Sequence, residues 1–176
     1  MNNEPEMTIR TAMPGDHDSI LELVRDAFTS ADRDASEELD IVVSTWAWRA
    51  IPELELVAVV GDVVVGHVMA GRGDIGGQEA VAIAPLAVAP SHQGAGIGSA
   101  LMTEVLRRAE AAGLPLIVLL GDPGYYGRFG FEPSGPLGII YRPVGEGDPH
   151  FLVRRLAGYD SSYRGDFTYC FEARPG

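Results

Sequence analysis

With 176 residues, of which 46% are hydrophobic and 22% charged, the chain has the size and composition of one globular domain, and its longer apolar runs, such as Leu114 to Leu120, are far too short to span a bilayer. A formal net charge of -12 sets the protein's own field against nucleic acid and anionic membrane and leaves cationic small molecules as the easier partners. The single cysteine, Cys170, excludes an intrachain disulfide, and with an acidic start, MNNEPEM, that is nothing like a signal peptide, the expectation is a cytoplasmic protein.

In chain order, Ile9 to Ala12 is predicted as a short strand. After the turn MPGD, the three-and-four spacing of Ile20, Leu23, Val24, Ala27 and Phe28 predicts an amphipathic helix. A second helix is expected over Glu37 to Ala50, where Trp46 and Trp48 project about 200° apart around the axis, one toward the core and the other toward a cleft. Leu54 to Val60 and Val63 to Ala70, joined by Gly61-Asp62, form a hairpin signal. Ala80 to Ala89, interrupted by Pro85, is a further apolar strand. From Ile97 to about Gly113 the apolar face of Leu101, Met102, Val105 and Ala109 predicts a third helix, and Leu116 to Leu120 a buried strand. Strand, glycine-rich turn, helix and strand make a βαβ unit with two parallel neighbours, and the hairpin before it makes the sheet mixed. Gly138 to Arg142, His150 to Leu156 and Phe167 to Phe171 are the remaining strand candidates.

The stretch SHQGAGIGSALM, Ser91 to Met102, carries Gly94, Gly96 and Gly98 at the point where the third helix starts. A helix N-terminus offers unpaired N–H groups and the positive end of the dipole, and a bare backbone lets a phosphate reach them. An acidic protein can thus bind an anionic cofactor through amides alone. The dinucleotide fingerprint G-x-G-x-x-G fails, since its last position is Ser99 or Leu101, depending on where it starts. All 13 basic residues are arginine, which removes a Walker lysine and Schiff-base chemistry. Gly98-Ser99-Ala100 is no nucleophile elbow, and His17, His67, His92 and His150 have no metal-ligand spacing, so no metal is expected.

Gln93-Gly-Ala-Gly96-Ile-Gly98 resembles the Gln/Arg-x-x-Gly-x-Gly/Ala signature of the GNAT superfamily of N-acetyltransferases, and Leu86 to Pro90 resembles the strand leading into it. In GDPGYYGRFGF, Gly121 to Phe131, Asp122 is a plausible N-cap with Pro123 at the first helical position. Its segment Tyr126-Gly-Arg-Phe-Gly-Phe131 looks like the family's Tyr-x-x-x-Gly-Phe, and the whole string resembles the YhbS-like bacterial subgroup. The resemblance runs from Ile9 to Phe131 and is looser after Tyr141. It implies an α/β GNAT fold, a mixed central β-sheet with a splayed parallel strand pair flanked by helices. The chain is then a single N-acetyltransferase domain over 1–176, with a core of about 7–143 and C-terminal strands and an extension over 144–176.

The same resemblance implies acetyl-CoA as acyl donor, its pyrophosphate cradled by Gln93, Gly94, Ala95, Gly96, Ile97, Gly98 and Ser99. The pantetheine arm is expected to pair with the backbone of Leu86, Ala87 and Val88, where Pro85 marks an irregular strand. The chemistry implied is direct attack of a neutral amine on the thioester, with a backbone N–H near Val88 stabilising the oxyanion and Tyr126 as general acid toward the leaving thiolate. Tyr125 is the neighbouring alternative. No acid lies on Ala80 to Ala89, so no general base is assigned; His67, Glu53, Glu55, Glu37 and Glu38 are the candidates. The acceptor is expected to be a small amine of positive or neutral character near the first two helices, walled by Trp46 and Trp48 and by Glu37 and Glu38. A homodimer is left open. A non-catalytic acyl-CoA sensor and a protein N-terminal acetyltransferase are the competing readings.

Overall fold

A computed structural model describes residues 6–48 and 50–169, the side chain of Trp48 excepted. The first strand, β1 (Met7–Thr11), leads into helix α1 (His17–Phe28), followed by α2 (Ser36–Trp48). The long meander β2 (Leu56–Val60), β3 (Val63–Ile75) and β4 (Gln78–Val88) comes next. Helix α3 (Ile97–Ala111) then crosses to β5 (Leu116–Leu120), which feeds the short α4 (Pro123–Tyr126). The chain closes with β6 (Glu132–Pro133), β7 (Ile139–Ile140), β8 (Phe151–Arg155) and β9 (Gly165–Tyr169). The strands join in the order β1-β2-β3-β4-β5-β8-β6, with β9 added at the far end of β3 and β7 beside β9. Neighbours are antiparallel except β4 with β5 and the short pair β7 with β9.

The β-branched run around Gly61-Asp62 closes into the expected hairpin, with Gly61 at φ 61° in the first central position, where a two-residue turn favours glycine. Side-chain alternation along β2 then sorts the core into two layers. Leu56 and Ala58 point to α3, whose Leu101, Met102, Val105 and Ala109 are fully buried against them. Val57 and Val59 point the other way, onto Ile20, Leu23 and Val24 of α1 and Val42 of α2. A third cluster gathers Phe151, Phe167 and Tyr169 from the late strands against Ile75, Ala80 and Leu116. At its C-terminus α3 stops at Gly113, φ +70°, whose N–H bonds back to the Glu110 carbonyl.

Two of the boundaries that differ from the sequence expectation are set by partners distant in the chain. Strand β3 continues to Ile75 because its far half is sandwiched between β4 and β9, a partner distant in sequence. Ala50 lies beyond α2 and bridges Gly71 as extended chain, and the Ile51 N–H bonds the Ala70 carbonyl, so the sheet edge takes the residues that local periodicity gives to the helix. The tail of the last expected strand, Cys170 and Phe171, lies outside the described residues, as does Arg49.

Gly66 of β3 sets how closely α3 lies on the sheet. A Cβ there would come within 2.8 Å of Ile97 Cγ2 and 2.9 Å of Leu101 Cδ1, closer than packing permits. Gly66→Ala is expected to overpack this contact and destabilise the protein by about 1–3 kcal/mol, measured as a lowered urea midpoint at unchanged m.

Candidate active site

The parallel strands β4 and β5 share only two register pairs, Val81 with Ile117 and Ala82 with Val118. Beyond Ala82, β4 stays on β3 while β5 turns off at Leu120. The ladder with β3 shows why they part. Its register passes from Ala70–Ile83 to Val68–Leu86, so β4 carries one residue more than β3 over that interval, a bulge at Ala84-Pro85 that bends the strand. Pro85 lies at the irregularity, as expected from its inability to donate to a ladder.

Past the bulge, alternation determines which main-chain groups face the opening. The Ala89 N–H donates to the Val65 carbonyl on β3, so Ala87, two residues back, also turns its main-chain groups to β3. Leu86 and Val88 turn theirs to the gap, where the Val88 carbonyl accepts from Gln93 Nε2 at 3.1 Å. The Ala87 side chain is buried under α1 and α2. Of the three expected backbone contacts, Leu86 and Val88 therefore face the cleft.

The glycines at the start of α3 have different physical reasons. Gly94 (φ +76°) and Gly96 (φ +81°) occupy left-handed backbone, and a Cβ on either would meet only open space. Gly96 is the N-cap without any side-chain cap, and the first helical bond runs from the Ala100 N–H to the Gly96 carbonyl. The amides before Ala100 are left by helix geometry without intrahelical acceptors. Ile97 contributes only backbone to this surface, since its side chain is buried, and Ala95 is exposed. Ser99 lines a separate shallow hollow with Ile9, Thr103 and Glu104. Gly98 is different: a Cβ there would stand 2.8 Å from the Tyr125 hydroxyl, 3.7 Å from Val88 Cγ2 and 3.9 Å from Leu86 Cδ2. Its bareness admits Tyr125.

Both tyrosines sit where β5 ends. Asp122 caps α4 as expected, its Oδ1 accepting from the Gly124 N–H at 2.9 Å, with Pro123 as the first helical residue. The rings of Tyr125 and Tyr126 meet edge-on with centroids 4.9 Å apart, and Arg128 lies over Tyr125 at 4.6 Å. Tyr126 packs on Gly121, where a Cβ would fall 2.4 Å from its ring, and against Phe131. Burial, with a smaller contribution from Tyr125, pushes the Tyr126 hydroxyl up to about 12, so it holds its proton at neutral pH. Tyr125 thus stands at the α3 end of the gap, and Tyr126 turns to the opposite end.

That opposite end is a cavity of about 680 Å³, floored by Ile83 to Leu86, Leu119 and Leu120 and closed by α1, α2 and the C-terminal strands. Glu37 and Glu38 line it with Asp40 and Arg33, as does Tyr126. The expectation for Trp46 is corrected. It is absent from the lining; its ring stacks on His17 at 4.0 Å and its Nε1 donates to Glu55 Oε1 at 2.8 Å. Among the described side chains, which do not include that of Trp48, the aromatic walls are instead Phe28, Tyr126, Tyr141 and Tyr169. Tyr141 and Tyr169 arrive through the late strands, which no local motif announces.

Of the expected base candidates, Glu53 is exposed on the surface, and only its carbonyl is engaged, by Arg108. His67 and Glu55 form a pair inside the protein, Nε2 donating to Oε1 at 2.9 Å, with exposures of 0% and 7%, and neither lines the cavity. Glu37 and Glu38 do. Among the described residues no three His, Cys, Asp or Glu side chains gather as metal ligands, and no helix is long and apolar enough to cross a membrane.

A splayed parallel pair with a glycine-opened helix N-terminus at one end and a lined cavity at the other is a specific arrangement, and comparison with known proteins places it. Residues 17–131 match the family model described as Acetyltransferase (GNAT) family. The chain belongs to the GNAT family of acetyltransferases. Its fold is the mixed α/β sheet flanked by helices that the sequence motifs imply. The chain is 34% identical over 154 residues to YhbS of Escherichia coli K12, named an uncharacterized N-acetyltransferase, covering 86% of this chain and 88% of that one. The crystal structure of E. coli YhbS in complex with CoA superposes with TM-score 0.85 at 29% identity, over 100% of this chain and 97% of that one. A GNAT acetyltransferase from Brucella melitensis, crystallised with acetyl-CoA, superposes with TM-score 0.76 at 31% identity, over 94% and 96%.

The buried Glu55 makes a pH prediction. Burial alone would raise its carboxyl, but hydrogen bonds from His67 and Trp46 outweigh that and hold it below the ordinary glutamate value. A folded pKa below the unfolded one gives stability that is complete above the ordinary value and is lost as pH falls through the lowered one. Urea midpoints measured from neutral pH down to acid should therefore fall less steeply in Glu55→Gln than in the wild type, from a lower starting stability.

Proposed function

We propose that the chain is an N-acetyltransferase that moves the acetyl group of acetyl-CoA to the amine of a small molecule. The observation that carries this reading is the gap between β4 and β5, because its two ends differ in character. At one end lie the bare amides of α3, and at the other the cavity with Tyr126. The CoA and acetyl-CoA complexes of the two similar structures support the choice of donor.

The residues present fit that donor. The open space over Gly94 and Gly96 leaves room for a pyrophosphate against the amides of residues 93–99, and the dipole of α3 favours its charge. Gln93 holds the loop to β4 through the Val88 carbonyl. Leu86 and Val88 present main-chain groups into the gap for the amides of the pantetheine arm, while Ala87 contributes by pairing β4 to β3. Acetyl-CoA supplies a thioester, an activated acetyl group with a thiol leaving group. The chain supplies position and proton control. The N–H near Val88 can donate to the carbonyl oxygen as charge develops on it. The Tyr126 hydroxyl, protonated up to about 12, can give its proton to the departing sulfur.

Two measurements test this. Gly96→Ala and Gly96→Glu both pay for left-handed backbone, about 1–2 kcal/mol, but only the glutamate adds bulk and negative charge over the amides. CoA affinity by calorimetry should be nearly unchanged in the folded alanine variant and fall more than about tenfold in the glutamate variant. Equal affinity in both would remove the phosphate cradle from this loop. Tyr126→Phe should lower turnover on the order of a hundredfold while leaving CoA binding intact, and Tyr125→Phe should lower it far less. Full activity in Tyr126→Phe would transfer the proton donor's role to another group.

A further inference from the structure

From the cavity we infer that the acceptor carries two basic groups, one that reacts and one that stays charged and is held by Glu38. This rests on the acetyltransferase reading of the gap and names the acceptor that reading leaves open. Glu38 lines the cavity, yet its side chain is only 9% exposed. Its two oxygens are used unequally. Oε1 pairs with the Arg33 guanidinium, while Oε2 is buried and has no hydrogen-bond partner among the described residues. A carboxylate oxygen taken from water and left bare costs free energy, and a ligand N–H⁺ is the group that would satisfy it.

The surrounding charge points the same way. Among the described residues that line the cavity are three carboxylates, Glu37, Glu38 and Asp40, and one guanidinium, that of Arg33. Such a field favours the protonated form of any amine brought into it. For an acceptor with a single amine this is self-defeating, because the nitrogen that attacks must be neutral. For an acceptor with two basic groups it is an advantage: the carboxylates hold the nitrogen that stays protonated and leave the other to react beside Tyr126. The aromatic faces of Phe28, Tyr141 and Tyr169 suit the methylene chain and the cation alike. Arg33, its side chain 55% exposed, pairs with Glu38 as an internal cation that a ligand cation would join or displace.

The test joins calorimetric titration of the full chain, with CoA present, to CoA release from acetyl-CoA, each with putrescine and cadaverine against butylamine and pentylamine. A monoamine's ammonium can itself sit on Glu38, so the binding readout is the carboxylate's effect: all four amines are expected to bind at least about tenfold more weakly to Glu38→Gln, with CoA affinity unchanged. Turnover is the readout for the second basic group: each diamine is expected to release CoA with kcat/KM at least about tenfold above that of the monoamine of the same length. Amine affinity that survives in folded Glu38→Gln overturns the inference, as does equal turnover of diamine and monoamine in the wild type. Should Glu38→Gln fail to fold, Arg33→Gln, a change at an exposed side chain, serves in its place. By freeing Oε1 it should tighten all four amines, and unchanged or weaker binding overturns the inference. Amine binding that depends on Glu38 but gives no turnover with any amine would refute the acetyltransferase reading and leave the cation site standing.

Discussion

The extra residue in β4 is the constraint on which the rest of the site depends. Two parallel strands that continued in register would bury each other's main-chain groups and leave no room for a ligand between them. Because β4 bulges at Ala84-Pro85 against β3, it bends away from β5 after two shared pairs, and Leu86 and Val88 keep main-chain groups that no strand satisfies. Unpaired polar backbone in a protein interior is costly, so a fold that retains it at one place must gain from it there. In our reading the gain is a ligand that behaves as a strand. The bulge also sets the direction of the chain beyond Val88, and so where α3 begins.

Everything around the gap keeps its edges fixed. Gly66 lets α3 lie directly on the sheet, so the helix N-terminus cannot drift toward or away from β4. Gly98 admits the Tyr125 hydroxyl and Gly121 admits the Tyr126 ring, which ties the end of β5 to the start of α3 across the opening. On the other face, the Glu55–His67 pair and Trp46 fasten α2 to β2 and β3. This network occupies the place where a sequence reading looks for a base, yet its groups are satisfied mostly by one another. Its role is to hold α2, and α2 carries Glu37, Glu38 and Asp40 to the cavity.

The sequence was legible wherever one local rule decided the outcome. Helix α1, the Gly61-Asp62 hairpin, the start of α3 at Ile97 and the Asp122-Pro123 start of α4 all follow from short-range periodicity, turn chemistry or capping, and all are found at those places. The sequence was less legible where a partner distant in the chain decides. Ala50 is withdrawn from α2 by a bridge to Gly71, and β3 is extended by β9. The cavity walls show the same limit. Trp46 and Trp48 are the aromatics that helical phase puts forward; the side chain of Trp48 lies outside those described, while a hydrogen bond to Glu55 and a stack on His17 turn Trp46 elsewhere, and Tyr141 and Tyr169 line the cavity through long-range sheet packing. The three glycines before α3 are alike in sequence, but the structure separates two that bend the chain from one that makes room for a side chain.

Net charge is a property of the whole chain, but recognition is local, and the gap shows how the two are reconciled. A formal charge of -12 opposes anions over most of the surface. At the α3 end no side-chain cation is needed to reverse this, because the potential there comes from aligned peptide dipoles and unpaired amides, which act within the first turn and over a few ångströms. At the far end the carboxylates of α2 restore the negative sign. The opening between β4 and β5 thus runs from a positive end built of backbone to a negative end built of side chains, with the proton-holding Tyr126 on the negative side. In the acetyl-transfer reading proposed above, an anionic donor and a cationic acceptor would each be drawn to its own end and would meet where Leu86 and Val88 turn main-chain groups into the gap. Ordering by charge in this way needs no moving part, because the sheet that bears the bulge also separates the two fields.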